Sequence, residues 1–236
     1  MITKKCWSAV LAAAALMSMG FHGSAADSPR APRPLPVLLV ISNQDFWYQE
    51  YAEVRHELKK QGLRTVVAAA ATDRAIPQDG GRSGYVQPDL ALADASADDY
   101  SAIVFVGGWG ASSYQYDFPG DYQNYRRDPR VITKVNELIG DFVRQEKYAA
   151  AVCHGVTVLA WARVDGQSPI KGRIVAAWAG GGPGFELEGR LHPDSTVPVR
   201  WQIEVNGGMM PLSAAVGDPL TSSDDVVVDG RIITAE

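Results

Sequence analysis

The stretch that most constrains this chain is Tyr148-Ala149-Ala150-Ala151-Val152-Cys153-His154-Gly155-Val156-Thr157-Val158-Leu159-Ala160. A run of small apolar residues, long enough for a buried strand, stops at Cys-His-Gly, and an apolar-periodic segment of helical character follows at once. In such a strand, sharp turn and helix, the turn residue is held in a strained backbone conformation that lifts its side chain above the sheet edge. Gly155 lets the next turn pack close. Unpaired N–H groups and the positive dipole end of the first helical turn lie beside the sulfur, and both are expected to favour thiolate. The competing reading of Cys153 is a small buried hydrophobe.

The start of the chain bears on that choice. Residues 1–26 read as a signal peptide: Lys4 and Lys5, an apolar stretch from Ala9 to Met17 too short to span a bilayer, and Gly23-Ser24-Ala25-Ala26 as a small-residue cleavage site. Residues 27–35 are a Pro-containing linker, and residues 36–236 form the domain. The expected location is periplasmic or secreted. Cys6 leaves with the signal, so the mature chain keeps one cysteine and can form no intramolecular disulfide. Cys153 is then buried, paired between chains, or kept for chemistry. Cleavage removes two lysines and no acid, taking the formal charge from −5 to −7. That argues against nucleic acid or an anionic membrane as partner and leaves a small-molecule substrate.

Taken in order, Leu35 to Ser42 is a continuous aliphatic run, as in a parallel strand covered on both faces. Phe46 to Gln61 has helical spacing with Gly62 as its stop, and Arg64 to Ala70 completes a βαβ unit. Residues 72–99 read as loop, with a short helix near Leu90 to Ala95. Tyr100 to Val106 is a third strand, ending in Gly107-Gly108-Trp109-Gly110. Tyr114 to Arg127 reads as a loop over the strand ends, Val131 to Glu146 as a helix, Val156 to Arg163 as the helix after Cys153, and Gly172 to Trp178 as another strand. Alternation at Phe185 to Leu191 and at Val197 to Val205 predicts antiparallel strands inserted at an edge, and residues 226–234 a hairpin around Asp229-Gly230. The sum is α/β: a mostly parallel sheet between helices, with an antiparallel edge. Ligands bind such sheets at the carboxyl ends of the strands, where Gly107-Gly108, Cys153 and the turn from Asn43 to Glu50 are all expected.

These pieces resemble the ThiJ/PfpI family, in the superfamily of the parkinsonism-associated protein deglycase, with its class I glutamine amidotransferase-like, flavodoxin-like fold. The likeness rests on Asp45-Phe46-Trp47-Tyr48-Gln49-Glu50, on residues 58–66, on Val106-Gly107-Gly108-Trp109-Gly110, on Ala151-Val152-Cys153-His154-Gly155, on Lys171 to Val175 and on residues 227–234. It implies that Cys153 is the reactive cysteine, that Glu50 is the glutamate whose protonated carboxyl meets the sulfur, and that the amides of Gly108 and His154 form the oxyanion pocket. Gly107 and Trp109 fall in the same substrate-binding turn. His154 either acts as a general base or lends only its amide, and Glu186, Glu188 and Asp194 are the carboxylates that could orient it. Relatives are usually dimeric or larger, which implies a homodimer. They normally carry a terminal helix after the last hairpin, whereas this sequence ends at Glu236, and their proline after Cys-His-Gly is Val156 here.

No metal is expected, since His56 lacks a second His four positions on and the mature chain has three histidines and one cysteine. No cofactor is expected either, because Gly107-Gly108-Trp109-Gly110 lacks dinucleotide-binding spacing. Trp109, Tyr114 and Tyr116 read either as pocket walls or as packing. Three functions follow: a cysteine-dependent hydrolase or lyase acting on a small carbonyl or acyl compound, a non-catalytic redox sensor or ligand-binding module using the same cysteine, and a structural domain with an inert thiol.

Overall fold

The computed structural model describes residues 34–211 and 225–236. The expected signal peptide, residues 1–26, and linker residues 27–33 lie outside the described residues. In chain order β1 (Val37–Val40) leads through β2 (Gln44–Phe46) into α1 (Tyr48–Lys60) and back to β3 (Thr65–Ala69). β4 (Ile76–Pro77) and β5 (Leu90–Ala91) are short, and β6 (Ala102–Phe105) runs into a 3-10 turn, Trp109–Tyr114. Then come β7 (Asp121–Tyr122), α2 (Pro129–Arg144), β8 (Tyr148–Val152), α3 (Val156–Trp161), β9 (Phe185–Leu187), β10 (Arg190–His192), α4 (Val199–Val205), β11 (Val226–Asp229) and β12 (Ile232–Ala235).

Seven strands form one sheet in the order β11-β12-β8-β6-β1-β3-β5, parallel throughout except for β11 against β12. Successive strand side chains point to opposite faces, so each apolar run feeds two cores. Leu38, Val40, Ile103, Phe105, Ala149 and Ala151 meet Leu138, Ile139 and Phe142 of α2 on one face. Val37, Leu39, Ile41, Val104, Ala150 and Val152 meet Tyr51, Val54 and Leu58 of α1 on the other. Both faces being covered explains why β1, β6 and β8 carry no polar residue. From β1 the chain moves to one side for β3 and returns to the other for β6. The topology switches at the carboxyl ends of these strands, where β6 runs on toward Gly107.

The α/β fold with an antiparallel edge is as expected, but three elements differ. Residues 197–205 are not a strand: Val199–Val205 is helix α4, with Val199, Gln202 and Ile203 buried. Its alternation of apolar residues also places Val199 and Ile203 four apart on one helical face, and packing beside α3 selects that reading. Gly172 to Trp178 forms no strand of the three sheets; among the described residues it holds a parallel bridge from Ile174 to Met209. The hairpin of β9 and β10 exists, but it pairs with β7 in a separate three-stranded sheet rather than edging the main one. The antiparallel edge of the main sheet is β11, joined to β12 by the turn at Gly230.

Candidate functional site

β8 ends at Val152, and the next residue, Cys153, takes a backbone φ of 54°, a left-handed value that costs a non-glycine residue on the order of 1–3 kcal/mol. A 3-10 turn, Cys153–Gly155, then feeds α3. The turn lies so close to β6 that a Cβ on Gly155 would sit 2.6 Å from the Phe105 carbonyl oxygen. Close approach, with φ at −58°, is therefore what requires glycine there. Cys153 is a free thiol, partly buried.

Glu50 reaches the sulfur from the first turn of α1 and is 2 % exposed. The start of that helix is tied to the β6 end by Trp47 N–H donating to the Gly107 carbonyl at 3.0 Å. In return the Gly107 N–H donates to Glu50 Oε2 at 2.8 Å, and the carboxyl also hydrogen-bonds Cys153. A Cβ on Gly107 would lie 2.6 Å from Glu50 Oε2 and 2.9 Å from Cys153 Cβ, so only glycine lets thiol and carboxyl meet. Burial pushes the Glu50 carboxyl up to about 7, against the hydrogen bonds from Cys153 and Gly107. Burial, and then the Glu50 charge, push the Cys153 thiol up as well, although the His154 N–H works the other way. The expectation that the turn alone favours thiolate is corrected here: desolvation beside a second acid outweighs one backbone donor. At neutral pH the thiol keeps its proton, and the carboxyl beside it is close to its own titration point.

His154 follows Cys153 but turns into the interior, 1 % exposed. Its Nε2 is 2.8 Å from the hydroxyl of Ser112, itself fully buried. Among the described residues its Nδ1 has no hydrogen-bond partner, and burial lowers the ring's pKa to about 4. The ring therefore makes no hydrogen bond to the sulfur in this geometry. None of the three expected carboxylates orients it. Glu186 and Glu188 are exposed, and Asp194 accepts from the Gly184 N–H at 2.6 Å. The orienting residue is Ser112, in the turn after β6. Only that turn's adjacency to the β8 end could have signalled it.

Of the amides expected to receive an oxyanion, Gly107 N–H is committed to Glu50 and Trp109 N–H to Gln78 Oε1 at 3.1 Å. Gly108 N–H donates to no backbone or side-chain acceptor among the described residues, and His154 N–H faces the sulfur. Tyr114 is packing: it is buried, its hydroxyl donating to the Ile41 carbonyl at 2.9 Å and accepting from Ala70 N–H at 3.0 Å. Trp109 is half-buried against a cluster of Phe118, Tyr122, Tyr125, Trp161 and Phe185, and Tyr116 is exposed. A recess of ≈ 280 Å³ lies at neighbouring strand ends, lined by Asn43, Gln44, Ser113, Tyr125 and Arg126 among others, and Cys153 is not in its wall.

Comparison with known proteins agrees with this architecture. The DJ-1/PfpI family model matches residues 36–178. An uncharacterized protein of Archaeoglobus fulgidus is 26 % identical over 163 residues, covering 69 % of this chain and 83 % of that one. Among solved structures, a ThiJ/PfpI domain protein from Brachyspira murdochii superposes with a TM-score of 0.60 at 20 % identity, covering 86 % of this chain and 88 % of that one. Drosophila melanogaster DJ-1beta superposes at 0.58 and 19 % identity, covering 86 % and 81 %.

Proposed function

Because this chain belongs to the DJ-1/PfpI family, we propose that it is an exported, cysteine-dependent enzyme that attacks a small carbonyl or acyl compound with Cys153. One observation carries the reading. A thiol in a strained turn shares a hydrogen bond with a buried carboxyl that titrates near neutral pH. Ionised Glu50 takes the thiol proton as the sulfur adds to the carbonyl carbon. The carbonyl electron pair moves onto oxygen, where the N–H groups of Gly108 and His154 receive it. Glu50, now a neutral acid, donates its hydrogen bond to the sulfur it has just deprotonated. Loss of one oxyanion donor in such a site typically costs on the order of a hundredfold in rate.

The test is a screen over aldehydes, amides and isonitriles with purified protein. Cys153→Ser is expected to abolish turnover on any substrate found, and Glu50→Gln to reduce it by at least tenfold; full turnover by Cys153→Ser refutes the proposal. For export, protein recovered outside the cytoplasm is expected to begin near Asp27 by mass spectrometry.

The Glu50 contact also favours a second reading, a redox sensor, since a neutral carboxyl beside the sulfur stabilises a sulfinate. Stoichiometric oxidation of Cys153 by mild peroxide, without turnover on any of the three substrate classes, would select it.

A further inference from the structure

The turn Gly107-Gly108-Trp109-Gly110 is held by one peptide unit of the neighbouring segment, that between Phe46 and Trp47. The Trp47 N–H donates to the Gly107 carbonyl at 3.0 Å, and the Phe46 carbonyl accepts from the Gln78 N–H at 3.0 Å. The Gln78 side chain then closes a ring, its Oε1 accepting from the Trp109 N–H at 3.1 Å. Gln78 stands there because β4 pairs with β2 in the register Phe46↔Pro77, one residue before it. Gly108 sits within that ring, where a Cβ would run into the Asp45 carbonyl oxygen and come 2.6 Å from Trp47 N. Its φ of 90° and ψ of 155° lie in a region open to glycine alone. Such a conformation persists only where its neighbours hold it, because a peptide between two glycines turns over at little steric cost.

From Val106 to Trp109 each N–H has an acceptor except one. Val106 donates to the Val40 carbonyl at 3.0 Å, Gly107 to Glu50 Oε2 at 2.8 Å and Trp109 to Gln78, whereas the Gly108 N–H donates to nothing among the described residues. Contacts on both flanks fix which way that unspent N–H points. Trp47 holds the carbonyl of the same planar peptide unit, on the side opposite the N–H, and so sets φ of Gly108. Gln78 holds the N–H of the next unit and so sets ψ, together with the Ala111 N–H, which donates to the Gly108 carbonyl at 3.2 Å. We propose that Gln78 is a positioning residue for acyl transfer at Cys153, aiming the Gly108 N–H as oxyanion donor by pinning the peptide that follows it. This role rests on the enzymatic reading above and adds to it a side chain from the β2-β4 pair, outside the main sheet. A Cβ on Gly107 would lie 2.9 Å from Cys153 Cβ, so a turn displaced at Gly108 is displaced close to the nucleophile.

The experiment compares two reactions of Cys153 in the full-chain protein. With p-nitrophenyl acetate the sulfur bonds to the carbonyl carbon and the C=O pair moves onto oxygen; its return expels p-nitrophenolate, and the thiol proton goes to Glu50. With iodoacetamide the sulfur displaces iodide, and no oxyanion develops. Gln78→Met keeps the length of the side chain and removes its oxygen. Acetylation of Cys153, located by mass spectrometry, is expected to slow about fivefold to tenfold in that variant, the worth of one hydrogen bond, with alkylation unchanged. Gln78→Glu keeps an acceptor and is expected to restore most of the acetylation rate. Hydrogen exchange at the Trp109 N–H is expected to quicken in Gln78→Met and not in Gln78→Glu. Gln78→Asn, one methylene shorter, serves if Gln78→Met does not fold. Undiminished acetylation in Gln78→Met, a Gln78→Glu as slow as Gln78→Met, or alkylation that falls in step with acetylation overturns the role of Gln78 alone. A wild type that alkylates at Cys153 but takes no acetyl group there overturns the enzymatic reading, and the role with it.

Discussion

Glu50 and His154 occupy one site and titrate in opposite directions, which gives the pH dependence of stability an unusual form. The Glu50 carboxyl is raised from 4.5 to about 7, so the stability tied to its proton is whole below about 4.5 and lost as pH rises through 7. The His154 ring is lowered from 6.5 to about 4, so its contribution is present above 6.5 and lost as pH falls through 4. Each is worth roughly 3 kcal/mol at about 1.4 kcal/mol per unit, and between 4.5 and 6.5 they cancel. Chemical denaturation across pH 4.5 to 6.5 is expected to show a flat profile for the wild type. Glu50→Gln should expose a rise with pH, and His154→Gln a fall. At this scale Cys153 was legible because a cysteine between a strand and a helix is a local pattern. The Ser112 partner was not, because its contact crosses 42 residues and depends on which strand ends are neighbours. Nor was the upward shift of the thiol, which comes from burial beside a second acid.

Elements were read well wherever one partner layer dictated the pattern. The wholly apolar runs of β1, β6 and β8 can only be strands covered on both faces, and α2 shows helical periodicity over four turns behind an Asp128 cap and Pro129. Val199–Val205 was misread because apolar residues at every second position also fit a short helix whose buried face includes Val199 and Ile203. The junction most sensitive to one atom is the turn into α3. A methyl on Gly155 would press on the Phe105 carbonyl at 2.6 Å, and neither strand can yield without shifting the sheet. Gly155→Ala is expected to cost on the order of 1–3 kcal/mol in urea unfolding and to lower Cys153 reactivity as the turn moves. Unchanged stability would mean that the turn has room.

Over the whole molecule, the site depends on strands that meet only after the chain has closed. β12 pairs with β8 from Ile232↔Ala149 to Ala235↔Val152, so a segment near residue 235 braces the strand that presents Cys153. Thr234 ties in a further layer, its buried hydroxyl accepting from the Ala176 N–H at 3.0 Å. Thr234→Val is expected to leave that N–H unpaired and cost about 1–3 kcal/mol, with faster hydrogen exchange at Ala176 as the local sign. The central claim is that burial beside the Glu50 carboxyl holds the Cys153 thiol in its protonated form, and it is tested most directly by the rate of Cys153 alkylation against pH, followed by mass spectrometry. The wild type is expected to titrate above the free-thiol value of about 8.5, and Glu50→Gln to titrate lower once the neighbouring charge is gone. A wild-type value well below 8.5, or a Glu50→Gln curve superimposed on it, would contradict the account.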